Sequence, residues 1–323
     1  MPNSDHARFD VVSLGEPMYE FSQIPGEGNR YLQGFGGDTT NAAIAAARQG
    51  AKVAYVTRLG DDEFGKQFLA LWCAEGVDSS GVSIDPDAHT AVYFIHHGPQ
   101  GHVFSYLRHG SAASRMRPTN LPLDLIRSAK FFHTSAISQA ISASACDTVF
   151  TAIDAARAAG AKFAYDSNLR LRLWPLMRAK AVITATIALA EYFLPSLDDV
   201  KALSAFAEPE AIVDWSHRLG AKYVALKLGP DGVLASDGVR RQHIAAHAVD
   251  CVDATGAGDC FAGSFLARLS RGDDFWQAVR YANAAAALTT SGYGAVAPLP
   301  RPEAVNALLR RDRKARLSYI YRT

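Results

Sequence analysis

Hydrophobic positions along the chain follow two alternating rhythms. Short apolar runs rich in β-branched and aromatic residues recur, and most are followed by a longer stretch with helical spacing. FDVVSLGE (9–16) reads as a buried strand closing at Gly15, and KVAYVTRLG (52–60) as another. FFHTSA (131–136), KFAYDSN (162–168), YFLPS (192–196) and KYVALKLG (222–229) have the same character. Between them, NAAIAAARQG (41–50) is Ala-rich, opens behind a cap-like Thr/Asn and stops at Gly50, which predicts a helix. DEFGKQFLALWCAEG (62–76), 260–271, 274–290 and RPEAVNALLRRDRKA (301–315) predict further helices.

Two segments break this rhythm. Residues 17–35 hold short strand-like pieces interrupted by Pro25, Gly26, Gly28 and Gly34. TAVYFIHH (90–97) and HVFSYLR (102–108) flank GPQG and predict a hairpin. Repeated strand–helix units imply an α/β fold with a mostly parallel central sheet covered by helices on both faces. The two irregular segments then form a small β-sheet beside it, such as a lid. No repeat, low-complexity run or linker divides the chain, so residues 1–323 are expected to form a single domain behind a loose polar tail at 1–8.

Composition narrows the class of partner. The 33 basic and 32 acidic residues of this 323-residue chain nearly cancel, and no basic run marks a nucleic-acid or membrane surface. The arginines are scattered, so any that matter must act singly. Cys73, Cys146, Cys251 and Cys260 are too dispersed for a disulfide framework. MPNSDHARFD lacks an apolar signal core, and no apolar stretch reaches a membrane span of about 20 residues. A reduced, soluble, cytoplasmic protein is expected.

Chemistry concentrates in two glycine-rich segments. In DATGAGDCFAGSF (253–265), Gly256, Ala257 and Gly258 let backbone approach a ligand closely. A helix opening at about Asp259 turns free N–H groups and a positive dipole end toward the same point, which favours an anion. A carboxylate there would repel a resting phosphate, yet it could take a proton from an attacking hydroxyl. It could equally cap the helix. In GFGGDTTN (34–41), adjacent glycines precede Asp38, Thr39 and Asn41, a set suited to sugar hydroxyls or to an ordinary strand–helix turn. GxxxxGK[ST] is absent, and Phe261 stands where a GxGxxG pattern would need its last glycine. His243, His247 and Cys251 recur every four residues, but in a segment that reads as extended and lacks an evident fourth metal ligand.

Together the two segments resemble the signatures of the PfkB, or ribokinase-like, carbohydrate kinases. The first matches at Gly36, Gly37, Asn41, Ala43, Gly50 and Gly60 and departs at Thr39. The second matches at Asp253, Thr255, Gly256, Ala257, Gly258, Asp259 and Gly263, with mild departures at Ala254 and Ser264. They lie in the right order, roughly 200 residues apart, and the likeness runs from about residue 9 to 311. The resemblance implies a three-layer α/β sandwich with a β-sheet lid, ATP and Mg²⁺ as cofactors, and Asp259 as catalytic base beside an anion hole at 256–258. It implies nucleotide contacts at Lys227, Gly229 and Gly232 in KLGPDG, at Gly256 and Gly258, and at Asn283 in YANAAAA. The family's Asn-x-x-Glu element appears only as Ser196-x-x-Asp199.

Within that family, GGDTTN, FSYLRHGSAAS, DSNLRLRLW and GYGAVAPLP look like the 2-keto-3-deoxygluconate kinases. This likeness puts Gly36, Gly37, Asp38, Asn41, Tyr93, Tyr106, Arg108 and Arg170 at a sugar-acid substrate. Arginine suits a carboxylate through charge-assisted, often bidentate, hydrogen bonds. Fructose, ribose and nucleoside kinases of the same family are the nearest alternatives, with a sugar-binding sensor behind them. Lids of the family often pair between subunits, which points to a homo-oligomer.

Overall fold

The computed structural model describes residues 8–24, 26–98 and 101–320. The tail expected over 1–8 lies outside them except for Arg8. The chain runs through β1 (Phe9–Leu14), β2 (Met18–Gln23), β3 (Tyr31–Gly36), α1 (Asp38–Arg48), β4 (Val53–Gly60), α2 (Glu63–Glu75) and β5 (Val77–Asp85). The hairpin β6 (Ala91–Gly98) and β7 (Gly101–Leu107) follows, then α3 (Leu123–Arg127), β8 (Ala129–Ser135), α4 (Ala136–Ala140), α5 (Ala143–Ala158) and β9 (Lys162–Asp166). The second half holds α6 (Leu176–Ile187), β10 (Tyr192–Phe193), α7 (Leu197–Ser204), α8 (Pro209–Leu219), β11 (Tyr223–Lys227), β12 (Val233–Ser236) and β13 (Arg241–Ile244). It ends on α9 (Ala257–Ser270), α10 (Phe275–Thr289) and α11 (Pro302–Ile320).

The central sheet has the order β13-β12-β11-β10-β9-β8-β1-β4-β5. It is parallel from β5 to β11, and β12 and β13 join antiparallel at the far edge. Both faces are buried, so its strands read as near-continuous apolar runs. Alternate residues enter separate cores. Tyr192 and Leu194 pack with α1, α2, α9, α10 and α11, while Phe193 packs with α5 to α8 on the other face. The three layers expected from the strand–helix rhythm follow from this.

The sequence reading leaves β5, β12 and β13 unassigned. β5 and β13 are the two edges, β12 is a four-residue strand beside β13, and β5 (VDSSGVSID) has too few apolar positions to announce a strand. The helix expected from about Asp259 starts two residues earlier, because Gly256 takes a left-handed φ of 76° and lets Ala257 open it.

Residues 17–35 and 90–108 do meet, in a separate sheet of order β3-β2-β6-β7. Met18, Ala91, Tyr93 and Ile95 form a small core on one of its faces with Phe104. On the other, Tyr19 meets Phe64 and Phe68 of α2, with ring centroids 4.7 and 6.4 Å apart. Among the described residues no helix is long and apolar enough to cross a membrane.

Candidate active site

The strands β1, β8, β9 and β11 end on one side of the sheet, where ligands of open parallel sheets gather. α9 starts over these ends. Gly256 is a glycine by its left-handed backbone and for lack of space. A Cβ on Gly256 would lie 2.9 Å from the Ala295 carbonyl oxygen, and one on Gly258 would lie 3.2 Å from Lys227 Nζ. Asp259 does not cap the helix. Gly256 is the N-cap and no side chain caps this end. The Asp259 carboxylate instead accepts a 2.8 Å hydrogen bond from Asn41 Nδ2 on α1.

Asn41 reaches that far because α1 and α9 touch. A Cβ on Gly263 would stand 2.1 Å from the Ala42 carbonyl oxygen. Burial pushes the Asp259 carboxyl up to about 7, reinforced by the neighbouring Asp38 and Asp166 carboxylates. The Asn41 hydrogen bond and the Lys227 charge pull the other way. A carboxylate near neutral pH is suited to accept a proton.

The GFGGDTTN loop enters α1 through Gly37, whose φ of 107° and 2.5 Å approach to the Glu16 carbonyl oxygen exclude a side chain. Asp38 accepts a 2.8 Å bond from Asn168 Nδ2, and burial raises its carboxyl. Beneath it, Asp166 Oδ2 and Lys227 Nζ form an ion pair at 2.5 Å. Lys227 is held there by the C-terminal end of β11.

The small sheet, expected from the sequence as a lid, stands beside this floor. Tyr93 donates its hydroxyl to Glu20, and a Cβ on Gly36 would come within 2.5 Å of that hydroxyl. Tyr93 and Tyr106 stack with centroids 6.0 Å apart. Arg108 pairs with Glu16, which also accepts a 2.6 Å bond from Ser111 Oγ. Arg170 donates to the Leu169 carbonyl at 2.9 Å, and its charge is felt by Asp38 and Asp199.

A cleft of about 1380 Å³ runs between lid and body. Of the residues singled out in the sequence, Asp38, Tyr93, Tyr106, Arg108, Arg170, Ser196, Lys227, Gly229, Gly232, Gly256, Ala257, Gly258, Asp259 and Asn283 line it. Gly36, Gly37 and Asn41 stand behind that lining. Their visible roles are close packing and the bond to Asp259 rather than cleft surface. Asn283 is held by a 2.8 Å bond to the Ala245 carbonyl. Burial raises the Asp199 carboxyl, against hydrogen bonds from Ser167 (3.1 Å) and Ser196.

Sequence reasoning missed Glu16, Glu20, Asn168 and the Asp166–Lys227 pair. Their signal was available, since Glu16 and Asp166 stand at the C-terminal ends of two parallel strands. His243, His247 and Cys251 do not converge. His243 bonds the Asp231 carbonyl, His247 meets Asp312, and no metal-holding group of three such side chains exists among the described residues.

The model of pfkB family carbohydrate kinases matches residues 8–302. The chain belongs to this family. Its sheet order and separate small sheet are those of the ribokinase-like fold, and it is a carbohydrate kinase of the PfkB type. Among its relatives is a probable fructokinase-4 of Arabidopsis thaliana, 34% identical, with 93% of this chain and 96% of the relative covered. A 2-dehydro-3-deoxygluconokinase of Thermoproteus tenax is 32% identical, covering 94% of this chain and 95% of its own. A fructokinase of Vibrio cholerae, solved with fructose, ADP and calcium ion, superposes with a TM-score of 0.84 at 26% identity, over 93% of this chain and 98% of that one. Both kinds of sugar specificity therefore occur at similar distance from this PfkB kinase.

Proposed function

We propose that this PfkB kinase transfers the γ-phosphate of ATP to the primary hydroxyl of 2-keto-3-deoxygluconate, with Asp259 as the base. The observation that carries the reading is Asp259 itself, a carboxylate at a helix N-terminus whose burial lifts it to about 7. Asn41 orients it. In the proposed reaction the substrate hydroxyl lies against Asp259, which takes its proton as the oxygen attacks phosphorus in line. Amides of residues 256–259 face the charge that develops on the transferred group. The lid tyrosines keep water from competing for the phosphoryl group.

The nucleotide end suits ATP, with Lys227 as the cation and Gly229, Gly232 and Asn283 as the walls. Among the described residues no three carboxylate or imidazole groups form a cation cage. Mg²⁺ would therefore be carried on phosphate oxygens and water, as it often is. When bound, it screens the negative charge of the phosphates.

Two arginines support an acidic sugar. Arg170 and Arg172 line the cleft and are suited to a carboxylate. One observation favours a second reading, a fructokinase. Arg108, which the resemblance puts at the carboxylate, has its charge already met by Glu16. A coupled ADP-release assay with 2-keto-3-deoxygluconate, fructose and ribose separates the readings. The largest kcat/KM with the acid is expected. A larger value with fructose overturns the substrate and leaves the kinase class intact.

A further inference from the structure

Arg108 stands where the last lid strand returns to the body, and its guanidinium faces the cleft beside Tyr106, 5.8 Å from that ring's centre. Its Nη2 contacts Glu16 Oε2. The Glu16 side chain is 0% exposed and that of Arg108 11%, so this pair is taken out of bulk water. Ser111 Oγ fills the other Glu16 oxygen at 2.6 Å. Arg108 Nε is buried and has no hydrogen-bond partner. The backbone on either side of Glu16 is fixed: Thr57 Oγ1 donates to the preceding Gly15 carbonyl at 2.7 Å, and Gly37 lies so close that a Cβ there would stand 2.5 Å from the Glu16 carbonyl oxygen.

A buried carboxylate paired with a guanidinium has two effects. It offsets the charge that would attract an anionic ligand, and it leaves the N–H groups it does not engage as donors. A donor without net charge binds a hydroxyl or carbonyl oxygen without penalising a neutral ligand. We propose that Glu16 is a positioning residue that sets sugar specificity: it neutralises Arg108, whose side chain lines the cleft, so that the guanidinium meets an uncharged oxygen of the sugar and any carboxylate is left to the other arginines of the cleft. This deepens the kinase reading above and rests on it.

The test varies the charge of the pair. Glu16→Gln gives a net +1, wild type and the Glu16→Gln/Arg108→Gln double variant give 0, and Arg108→Gln gives −1. For each, kcat/KM is measured with 2-keto-3-deoxygluconate and with fructose, and calorimetry gives the affinity for both sugars. The acid-to-fructose ratio should follow the charge, on the order of tenfold per unit, as expected for gain or loss of a charge-assisted contact. Glu16→Gln should lie above wild type, the double variant within about threefold of it, and Arg108→Gln below.

A Glu16→Gln ratio within about twofold of wild type overturns the proposal. So does an Arg108→Gln variant that favours the acid. Should Glu16→Gln fail to fold, the comparison of Arg108→Gln with the double variant decides, and equal ratios there overturn it. Binding of either sugar without turnover would refute the kinase reading alone, because the affinity ratios still test the pair. No binding of either sugar to wild type would overturn both.

Discussion

Replacing Asp259 with Asn tests the mechanism and its energetic cost together. The substitution keeps an oxygen that can accept from Asn41 Nδ2, so the α1–α9 contact should survive. It removes the base, and turnover should fall by roughly 10²–10⁴, the usual contribution of a general base. Stability should move in the opposite direction, in a pH-dependent way. The Asp259 carboxyl is held near 7 in the folded chain against an ordinary 3.8. Between these values the unfolded chain has lost its proton while the native one retains it, so wild-type stability falls as pH rises from about 4 to 7. The ceiling on that loss is about 4 kcal/mol, at about 1.4 kcal/mol per unit. Asp259 lines the open cleft and is only half-buried, which brings the expected value nearer to about 2 kcal/mol. Denaturant unfolding of both proteins at pH 5 and pH 8 measures it, with ADP release as the activity readout. The variant should be the more stable of the two at pH 8, the gap should be smaller at pH 5, and it should close only below about pH 4. Near-normal turnover in a folded variant refutes the base assignment. A variant less stable than wild type at pH 8 refutes the claim that burial of a charge is what lifts this carboxyl.

The same carboxyl should shape the rate of the wild-type enzyme, with kcat/KM rising as pH passes through about 7 and levelling above it, read from a pH profile at saturating ATP. Tyr93→Ala and Tyr106→Ala should raise KM for the sugar and leave KM for ATP within about twofold; equal effects on both would assign these rings to lid folding. Arg170→Ala should cost at least about tenfold in kcat/KM with the acid, from a lost charge-assisted bond of about 1.5–3 kcal/mol, and much less with fructose. Lys227→Met leaves Asp166 buried without its partner and should destabilise the fold by about 3–5 kcal/mol, measured by urea unfolding. Gly263→Ala should force α1 from α9 and cost about 1–3 kcal/mol together with much of the turnover, because Asn41 would lose Asp259.

What could be read from the sequence followed its physical origin. Strands buried on both faces are nearly all apolar, so β1, β4, β8 and β11 were plain. The edge strands β5 and β13 bury less and were silent, and β12, though buried, is only four residues long. Asp259 was legible because it follows Gly256, Ala257 and Gly258 in a segment that resembles the family's second signature. Its alternative as a helix cap was removed only by geometry, since Asn41 approaches from 218 positions away. Arg108 was legible as a charge at the lid but not as a charge already answered. Glu16 lies 92 positions earlier, and only the folded hairpin brings the two together. The arginine count therefore overstated the positive charge available to a substrate.

The parallel pairing of β2 with β6 in the lid has a consequence for how the kinase is made. The paired residues Glu20 and Tyr93 stand 73 positions apart, with β4, α2 and β5 of the body between them. Such a non-local pairing carries a loop-closure cost, so the small sheet is expected to form after the body strands that lie between its partners. All four of its strands nevertheless lie before residue 108, while Asp259 lies far downstream. A chain emerging from the ribosome thus presents all four strands of the small sheet well before the residue proposed as the base.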